Sequence, residues 1–431
     1  MAVAGTLLCA VWLQPAPVRT QDVLSRADVS PADRQLALAQ LWREARDSFA
    51  YYARVAPEWD RLYQEFVPRV AAATTDYAYY LELMRFYAHL NDGHSGVFWP
   101  AAFDEALGYP PLEIRPVDGR AVIFRLLRNT EELRRLGIRP GLAVTQIDNR
   151  PVAELVDYWR ALKTGSTRQA TDRLAYFRVL TGPRNSTVSV LVEEPGGASR
   201  QVQLTRSERY FNDTNLDPPV RHVSRTLDGG IAYFQANQMR PDVGDAFAKF
   251  IDSAADMKGL ILDVRYNGGG SDQVSFDMVS RLIDRPVKGP IYEVTSYRPD
   301  RRAERSPQEI IRTQPRVTPA TGRRFLGSLI VLIGPQTHSA TESGFVAVIR
   351  QRPDTTLMGE HTAGSTGQPL VFPLPGNAVG AVCSRRSLTP DGREFVGVGF
   401  APDVTAYLSQ EDLFLNRDST LDSAIARLRS F

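Results

Sequence analysis

The sequence predicts an α/β protein whose core is preceded by a helical segment and carries a β-rich insertion. Three observations predict this fold class. Residues 31–90 repeat apolar residues at helical spacing, residues 110–205 have the pattern of short strands broken by turns, and strands alternate with helices from Gly230 onward. The length of 431 residues is too great for one hydrophobic core, so two or three domains are expected.

The composition is that of a globular protein. Hydrophobic residues make up 43% and charged residues 23%, which excludes a disordered or low-complexity chain. The 51 basic and 49 acidic residues give a net charge of +2, so no nucleic-acid partner is expected. The two cysteines, Cys9 and Cys383, are too few for a disulfide framework, and no pair of the five histidines has metal-ligand spacing. We expect neither a metal nor another cofactor.

The first residues leave two interpretations open. Residues 3–13 form an apolar run as long as the core of a signal peptide and too short to cross a bilayer. No basic residue precedes this run, and Pro15 and Pro17 make a poor cleavage site, so a disordered start is the alternative. No other stretch approaches the length of a membrane span. A secreted or periplasmic protein without a stable membrane span is expected, with a cytoplasmic location as the alternative.

The helical segment predicts three helices and a turn. One helix opens at Pro31, a second is centred on Trp59–Phe66, and a third covers Tyr77–Leu90. Short connections between them are typical of a small bundle. The third helix ends at a polar stretch that predicts a turn, Asn91-Asp92-Gly93-His94-Ser95-Gly96.

The β-rich insertion predicts a hairpin around Asp118-Gly119, with strands at Leu112–Pro116 and Ala121–Leu127. Three further strands and two helices complete it. They are expected at Val144–Ile147, Thr187–Val192 and Gln201–Leu204, and at 153–162 and 169–180.

The C-terminal part predicts buried strands that alternate with helices. The strands are expected at Ile231–Phe234, Gly259–Val264 and Ser328–Ile333, with a further one beginning at Thr356–Met358. The helices are expected at Val243–Asp252, Gln273–Asp284, Ala340–Arg350 and, closing the chain, Leu413–Leu428. The arginine-rich stretch 298–324 lacks helical periodicity and predicts a solvated loop.

Ser339 is the first candidate for chemistry, because it lies where a buried strand gives way to a helix. A hydroxyl there is exposed at the sheet edge, and the Ala340 amide lies in a helix N-terminus that favours an anion. An acyl-transfer nucleophile with an oxyanion hole requires these features. Ser339 and Glu342 also fit a capping box, and the local sequence leaves both interpretations open.

A glycine loop and a histidine are the other candidates. Gly268-Gly269-Gly270 follows a buried strand and permits close approach of the backbone, with a simple tight turn as the alternative. The loop lacks the lysine of a phosphate-binding loop. His94 lies in the predicted turn, where an imidazole can serve as a general base, although an isolated surface histidine is the alternative.

Together these segments resemble peptidase family S41, which contains the C-terminal processing (tail-specific) proteases and the tricorn core. The turn Leu90–Gly96 is similar to the family's Leu-x-Asp-Gly-His-Thr turn, and Thr337–Glu342 resembles its Ser-Ala-x-Glu nucleophile motif. The resemblance follows the family's order along nearly the whole chain. Its other segments are Asp263–Gly270, Gly359–Gly364, Gly397–Asp403 and, similar to an inserted PDZ domain, residues 106–206.

The resemblance implies a crotonase-like (ClpP-like) ββα core and a division of the chain. The chain is expected to divide into a possible signal peptide or disordered start at 1–25, a helical domain at 26–100, a PDZ-like domain at 106–206 and an S41-type catalytic core at 207–431.

The implied activity is that of a serine-type endopeptidase with Ser339 as nucleophile. The amides of Ala340 and of the glycine loop, with Gly269 as the expected donor, would form the oxyanion hole. The tricorn type also uses a glutamate late in the core, for which Glu394 is the candidate. A surface strand residue is the alternative for Glu394.

One departure from the family pattern bears on the general base. Processing proteases use a lysine after the Gly-Glu-x-Thr-x-Gly loop, whereas this chain has Ser365 there and no lysine after Lys288. Arginine stays protonated and cannot replace it. The tricorn type uses a histidine from the Asp-Gly-His turn, which implies His94, with His338 as the rival.

With His94 as base, kcat/KM is expected to fall below about pH 6–7 as the imidazole protonates. Peptides or unfolded proteins are the expected substrates, their C-termini bound at the PDZ-like domain by strand addition. In two alternatives the protein has this fold but does not hydrolyse peptides. One is a catalytically inactive ligand-binding relative, and the other is a PDZ peptide-binding adaptor.

Overall fold

The computed structural model describes residues 20–127, 130–163, 165–209 and 220–430. The apolar run at residues 3–13, for which an export signal and a disordered start are the two interpretations, lies outside the described residues. Within the described ranges, no helix is long and apolar enough to cross a membrane.

The helical segment contains the three predicted helices. Ser30 caps the first by accepting a hydrogen bond from the Asp33 N–H at 3.1 Å, and Pro31 takes the first helical position. Thr75 caps the third in the same way through the Ala78 N–H at 3.2 Å. The helices cover Thr20–Leu24, Pro31–Ser48, Ala56–Ala72 and Asp76–Ala88, with a 3₁₀ turn at Tyr52–Arg54.

The β-rich insertion is an antiparallel sheet with helices packed on it. Asp118 and Gly119 both have positive φ, at 50° and 74°, as a two-residue hairpin requires. The sheet order is Leu112–Val117, Arg120–Leu126, Ala143–Ile147, Thr187–Glu193 and Ser199–Thr205, with Arg150–Pro151 paired to the third strand. The helices are Glu131–Arg135, Val152–Arg160 and Arg168–Arg178. A helix at Ala101–Ala106 and a small sheet of Glu208–Arg209, Leu107–Tyr109 and Gly182–Pro183 adjoin the insertion along the chain.

A six-stranded sheet forms the core and establishes the α/β class. Its first two strands pair antiparallel and all the others pair parallel. One face packs on the helix Pro241–Ala254, and the other face packs on Ser419–Arg429. The strand order is His222–Leu227, Ile231–Ala236, Gly259–Asp263, Ser328–Ile333, Thr355–Gly359 and Val404–Thr405.

Two neighbouring strands of this sheet determine where the candidate site lies. Gly259–Asp263 and Ser328–Ile333 run parallel, with Asp263 beside Leu332. The carboxyl ends of parallel strands open at the same edge of a sheet. The loops that follow these strands therefore start side by side, and they carry the glycine loop and Ser339.

A small sheet not predicted from the sequence attaches the helical segment to the core. Gly96–Phe98 pairs antiparallel with Ala378–Cys383, with Gly96 opposite Ala381, and the third strand is Pro369–Leu374. Because Gly96 lies two residues after His94, this pairing brings the turn that carries His94 against the core.

Three predicted boundaries need correction. The expected helix at Ala340–Arg350 begins as a π-helix at Thr341–Val346 and continues as Ala347–Ile349. The closing helix is two helices, Gln410–Phe414 and Ser419–Arg429, separated where Asn416 has a φ of 54°. The expected solvated loop 298–324 is largely exposed but contains a helix at Pro299–Ala303 and the strands Glu309–Thr313 and Arg316–Val317. The first of these strands pairs with Ile291–Ser296 and the second with Val287–Lys288.

The described residues contain three further elements, which are Asp272–Ser280, Pro375–Asn377 and Arg386–Leu388.

A buried ion cluster joins the β-rich insertion to the core. Glu113 is fully buried and contacts Arg115 at 2.6 Å and Arg125 at 2.5 Å. The Arg115 guanidinium stacks over the Phe124 ring at 3.9 Å and donates to Gln336 Oε1 at 2.8 Å. Gln336 lies three residues before Ser339, so the first strand of the insertion touches the loop that carries the candidate nucleophile.

Replacement of Glu113 by glutamine is expected to destabilise the fold in a pH-dependent way. Burial alone would raise the pKa of Glu113, but Arg115 and Arg125 outweigh it and lower the pKa from 4.5 to about 2. The carboxylate therefore stabilises the fold above about pH 4.5, and this contribution is lost as the pH falls towards about 2. We expect Glu113→Gln to lose about 3 kcal/mol at neutral pH, measured by thermal unfolding.

The exposed pair of Glu131 and Arg135 provides the control, because Glu131 is 82% exposed. Glu131→Gln should leave the melting temperature unchanged. A Glu113→Gln protein as stable as the wild type at neutral pH, or equally destabilised at every pH, would contradict the assignment.

Candidate active site

Ser339 lies in a strained turn at the end of a buried strand. Its φ is 57°, a left-handed conformation that costs free energy in a residue with a side chain. The Ser339 N–H donates to the Ser365 carbonyl at 2.8 Å, and the Thr337 hydroxyl donates to the Val264 carbonyl at 2.8 Å. The helix that follows has no side-chain cap, so the capping-box interpretation is wrong for Ser339.

The structure brings His94 to Ser339. The Nε2 atom of His94 is 3.0 Å from the Ser339 hydroxyl oxygen. The His94 turn is fixed by Asp92, which is buried and accepts the His94 N–H at 2.9 Å and the Ser95 hydroxyl at 2.8 Å. Ser95 in turn accepts the Cys383 N–H at 3.0 Å, which attaches the turn to the core. Burial raises the pKa of Asp92 to about 6 despite these donors.

His338, the rival candidate for the base, lies against His94 without a hydrogen bond to the Ser339 hydroxyl. The two imidazole rings stack with centroids 4.7 Å apart and an angle of 2° between their planes. The Nδ1 atom of His338 lies 3.4 Å from the Gly268 carbonyl oxygen. Among the hydrogen bonds of the described residues, the hydroxyl of Ser339 is paired with His94 and not with His338.

Both imidazoles are held in the neutral form. Burial, the adjacent His338 and Arg385 lower the pKa of His94 well below its ordinary value of 6.5. Burial and Arg173 lower the pKa of His338 to about 4. A neutral imidazole can accept a proton at one ring nitrogen, which is what a general base requires.

The glycine loop approaches the nucleophile turn closely. A Cβ atom on Gly269 would lie 2.5 Å from Ser339 Cβ and 3.2 Å from the Ala340 nitrogen, and Gly269 has a φ of 102°. The loop is held by Asn267, which is fully buried and whose Oδ1 accepts the Gly269 N–H at 2.9 Å and the Thr341 hydroxyl at 2.7 Å. The Gly269 amide, expected from the sequence in the oxyanion hole, is therefore engaged by Asn267. The Ala340 amide lies in the first turn of a helix, where N–H groups lack acceptors within the helix.

Glu342 joins the helix after Ser339 to the loop that carries Ser365. Its buried carboxylate accepts the Gly364 N–H at 2.8 Å, the Ser365 N–H at 2.8 Å and the Thr362 hydroxyl. Burial raises the pKa of Glu342 to about 8 although these donors oppose the shift. The Glu342 carboxylate therefore holds the loop that carries Ser365.

The structure gives Glu394 no hydrogen bond to His94 or Ser339, contrary to the expectation from the sequence. Its carboxylate is exposed and forms ion pairs with Arg54 at 3.1 Å and with Arg386. The hydrogen bond from Arg386 lowers the pKa of Glu394, which makes it a poorer proton acceptor. The alternative interpretation, a surface residue, fits its position.

Sequence reasoning missed three residues of the site. Asp92, Asn267 and Ser365 are buried polar residues whose side chains hold the histidine turn, the glycine loop and the His94 ring. Asp92 and Asn267 lie within the motifs noted above, but a sequence motif does not show which groups these side chains hydrogen-bond. The sequence marks Ser365 only as the residue that stands in place of the family's lysine, and it does not show the contact with His94.

A cavity of about 550 Å³ opens in front of Ser339 and His94. The glycine loop belongs to its lining, which is mostly apolar. The apolar lining residues include Met84, Ala88, Val97, Phe98, Leu162 and Val371. Among the described residues, no group of three or more His, Cys, Asp and Glu side chains could hold a metal ion.

Comparisons with known proteins find similarity over the core of the chain. Residues 230–406 match the model of peptidase family S41. The C-terminal processing peptidase, chloroplastic, of Tetradesmus obliquus is 26% identical over 237 residues, which are 52% of this chain and 47% of the relative. The chain thus spans about half the length of the curated relative that it matches. The matched region of this chain is therefore similar to peptidase family S41.

Solved structures share the fold at low sequence identity. A structure of mature CPAF complexed with lactacystin is 16% identical, with a TM-score of 0.74 over 92% of this chain and 99% of that one. The photosystem II D1 C-terminal processing protease is 20% identical, with a TM-score of 0.51 over 88% of this chain and 94% of that one. A peptidase structure from Parabacteroides merdae is 19% identical, with a TM-score of 0.55 over 93% of this chain and 97% of that one.

The close approach of Gly269 to Ser339 can be tested with a matched glycine. Gly119 also has positive φ, 74°, but a Cβ atom there would meet nothing within 4 Å. Both Gly269→Ala and Gly119→Ala carry the backbone penalty, whereas only the first carries a clash. We expect Gly269→Ala to lower stability by about 1–3 kcal/mol more than Gly119→Ala in thermal unfolding. Equal losses would show that the nucleophile turn has room to move.

Proposed function

We propose, on the premise that residues 230–406 form a peptidase family S41 core, that this protein is a serine endopeptidase. Ser339 is the nucleophile and His94 the general base. The observation that carries the proposal is the 3.0 Å distance between His94 Nε2 and the Ser339 hydroxyl oxygen at the wall of an open cavity. A nucleophile and its base within hydrogen-bond reach are the minimum for this chemistry.

The reaction follows from the two atoms in contact. Nε2 of His94 takes the hydroxyl proton as Ser339 attacks the peptide carbonyl, and a C–O bond forms. The imidazolium then gives that proton to the leaving amine, the C–N bond breaks, and an acyl-enzyme remains. Water, deprotonated by His94, hydrolyses the acyl-enzyme and restores the serine hydroxyl.

The oxyanion of the tetrahedral intermediate would be stabilised at the start of the helix that follows Ser339. The Ala340 amide is the donor that the geometry favours, because it is adjacent to the nucleophile at a helix N-terminus. The Gly269 amide donates to Asn267 and would have to leave that acceptor to join Ala340.

The cavity favours an apolar substrate side chain beside the scissile bond. Most of its lining is aliphatic or aromatic, and Val97 and Phe98 line it together with His94. The proposed substrates are therefore peptides or unfolded proteins with a hydrophobic residue at the cleavage position. The β-rich insertion would bind their C-termini as a PDZ-like module, since its sheet adjoins the core through Arg115 and Gln336.

The first test is labelling by a fluorophosphonate probe with peptide mapping, applied to the wild type and single variants. The label is expected on Ser339 and absent from Ser339→Ala. His94→Ala should slow labelling about 100- to 10,000-fold because the general base is lost. His338→Ala should still be labelled, because the His338 ring makes no hydrogen bond to the Ser339 hydroxyl.

The matched comparison of His94→Ala with His338→Ala decides between the two bases. A label lost only in His338→Ala would reassign the base. A folded wild-type protein that takes no label, with or without an added C-terminal peptide, would contradict the peptidase proposal and favour a ligand-binding relative.

The kcat/KM of the protein should fall at a lower pH than expected for a histidine with its ordinary pKa of 6.5. Burial, His338 and Arg385 all disfavour the imidazolium, so His94 stays neutral below its usual pKa of 6.5. Since kcat/KM requires neutral His94 in the free enzyme, activity should persist well below the pH range inferred from the sequence. The measurement is kcat/KM across the acidic range, with activity recovered at neutral pH to exclude unfolding.

Arg385 supplies the matched variants for this prediction. Arg385→Gln removes a positive charge and should move the acid limb of the profile to higher pH, whereas Arg385→Lys keeps the charge and should leave the limb near its wild-type position. A wild-type limb at the ordinary histidine value, unmoved by Arg385→Gln, would contradict the assignment.

A further inference from the structure

We infer that Ser365 is a positioning residue for His94. It accepts a hydrogen bond from Nδ1–H of the imidazole and so leaves Nε2 free to take the Ser339 proton. Its catalytic consequence rests on the proposed function, whereas the tautomer that it fixes can be tested without any reaction. Ser365 contacts neither substrate nor the atoms that react, and it acts only through His94.

The two ring nitrogens of His94 have different partners. Nε2 lies 3.0 Å from the Ser339 hydroxyl oxygen and Nδ1 lies 3.0 Å from the Ser365 hydroxyl oxygen. A neutral imidazole carries one N–H, so Nε2 can accept a proton only when Nδ1 holds the hydrogen. A serine hydroxyl can accept that hydrogen bond. The geometry therefore fits an imidazole that donates from Nδ1 to the Ser365 hydroxyl and accepts at Nε2 from the Ser339 hydroxyl.

The position of Ser365 is fixed by its backbone. Its carbonyl accepts the Ser339 N–H at 2.8 Å, and its N–H donates to Glu342 Oε2 at 2.8 Å. The residue is completely buried. The same residue thus contacts the nucleophile through its carbonyl and the base through its hydroxyl, which sets the distance between the two.

Gly93 allows this contact. A Cβ atom on Gly93 would lie 2.6 Å from the Ser365 hydroxyl oxygen, 3.2 Å from Ser365 Cβ and 3.2 Å from His338 Nε2. Any side chain at position 93 would therefore push the Ser365 hydroxyl away or lift the His94 turn. The absence of a side chain brings the turn directly onto Ser365.

Within the described residues, the hydrogen-bond partners of the His94 ring are both hydroxyls. The nearby carboxylate of Asp92 contacts the His94 backbone N–H and not the ring. The groups that act electrostatically on the ring are His338 and Arg385, neither of which carries negative charge. Orientation by a neutral hydroxyl is therefore the arrangement that this structure provides.

The tautomer is tested by NMR of the full chain with ¹⁵N-labelled histidine at neutral pH and without substrate. The His94 signals are identified by their loss in His94→Gln. The wild type should show Nδ1 protonated and Nε2 unprotonated. Ser365→Ala should shift the population towards the opposite tautomer, whose Nε2–H can still donate to Ser339.

Thr366→Val is the matched control. Thr366 is the next buried hydroxyl in the chain, and its hydroxyl donates to Ser343 at 3.1 Å without a contact to His94. This variant should keep the wild-type tautomer. A wild-type His94 protonated on Nε2, or a Ser365→Ala protein with an unchanged tautomer, overturns the inference.

The catalytic consequence is tested by a double-mutant cycle on kcat with a peptide substrate. Ser365→Ala and Gly93→Ala should each lower kcat about tenfold. The double variant should be little worse than the poorer single variant, because alanine at 365 removes the hydroxyl that alanine at 93 would displace. Losses that multiply would mean that the two residues act separately and would overturn the inference.

The outcomes separate this inference from the proposed function. An unlabelled Ser339 in a protein with the Nδ1–H tautomer overturns the peptidase proposal alone. A labelled Ser339 with unchanged tautomer and unchanged kcat in Ser365→Ala overturns the positioning role alone.

Discussion

The parallel pairing of Gly259–Asp263 with Ser328–Ile333 is the constraint on which the rest of the site depends. Both strands are buried, and they end side by side. Their loops must therefore diverge within a few residues or pack against each other. They pack, because Gly269 has no side chain and Ser339 adopts a left-handed turn that its neighbours hold. Strain in one residue and the absence of a Cβ atom in another thus expose the hydroxyl.

The second constraint is the distance along the chain between His94 and Ser339. The proposed base, His94, comes from the helical segment, and the short strand Gly96–Phe98 pairs the chain after it with the core. Asp92 and Ser95 fix the turn before that strand by hydrogen bonds to its own backbone and to Cys383. Enclosure of the ring by two chain segments has a chemical consequence, since burial is the first cause of the low His94 pKa. The same packing that positions the base makes it weaker as a proton acceptor.

Much of the fold could be predicted from the sequence because it depends on local patterns. The hairpin at Asp118-Gly119 and the buried strand Ser328–Ile333 were expected within a residue or two of their observed bounds. The sheet that holds Gly96–Phe98 was not, because its strands are short and pair over nearly 300 residues of sequence. The break at Asn416 was also missed, since a single positive φ leaves the apolar repeat around it intact.

The site was predictable only in part for a similar reason. Ser339 and His94 belong to motifs, and motifs indicate which residue types carry chemistry. Glu394 lies in a plausible region of sequence, but two arginines draw its carboxylate to the surface. The roles of Asn267 and Ser365 depend on partners that no local pattern specifies. Their importance is visible only when their hydrogen bonds are known.

Serine at position 365 and histidine at position 94 are chemically matched. A lysine ammonium in place of the Ser365 hydroxyl would lie within hydrogen-bond distance of the imidazole, where a positive charge further disfavours the imidazolium that the reaction must form. It could not accept the Nδ1 hydrogen either, because an ammonium has no lone pair. A histidine base at this place therefore requires a hydrogen-bond acceptor without positive charge beside it, and the hydroxyl of Ser365 supplies one.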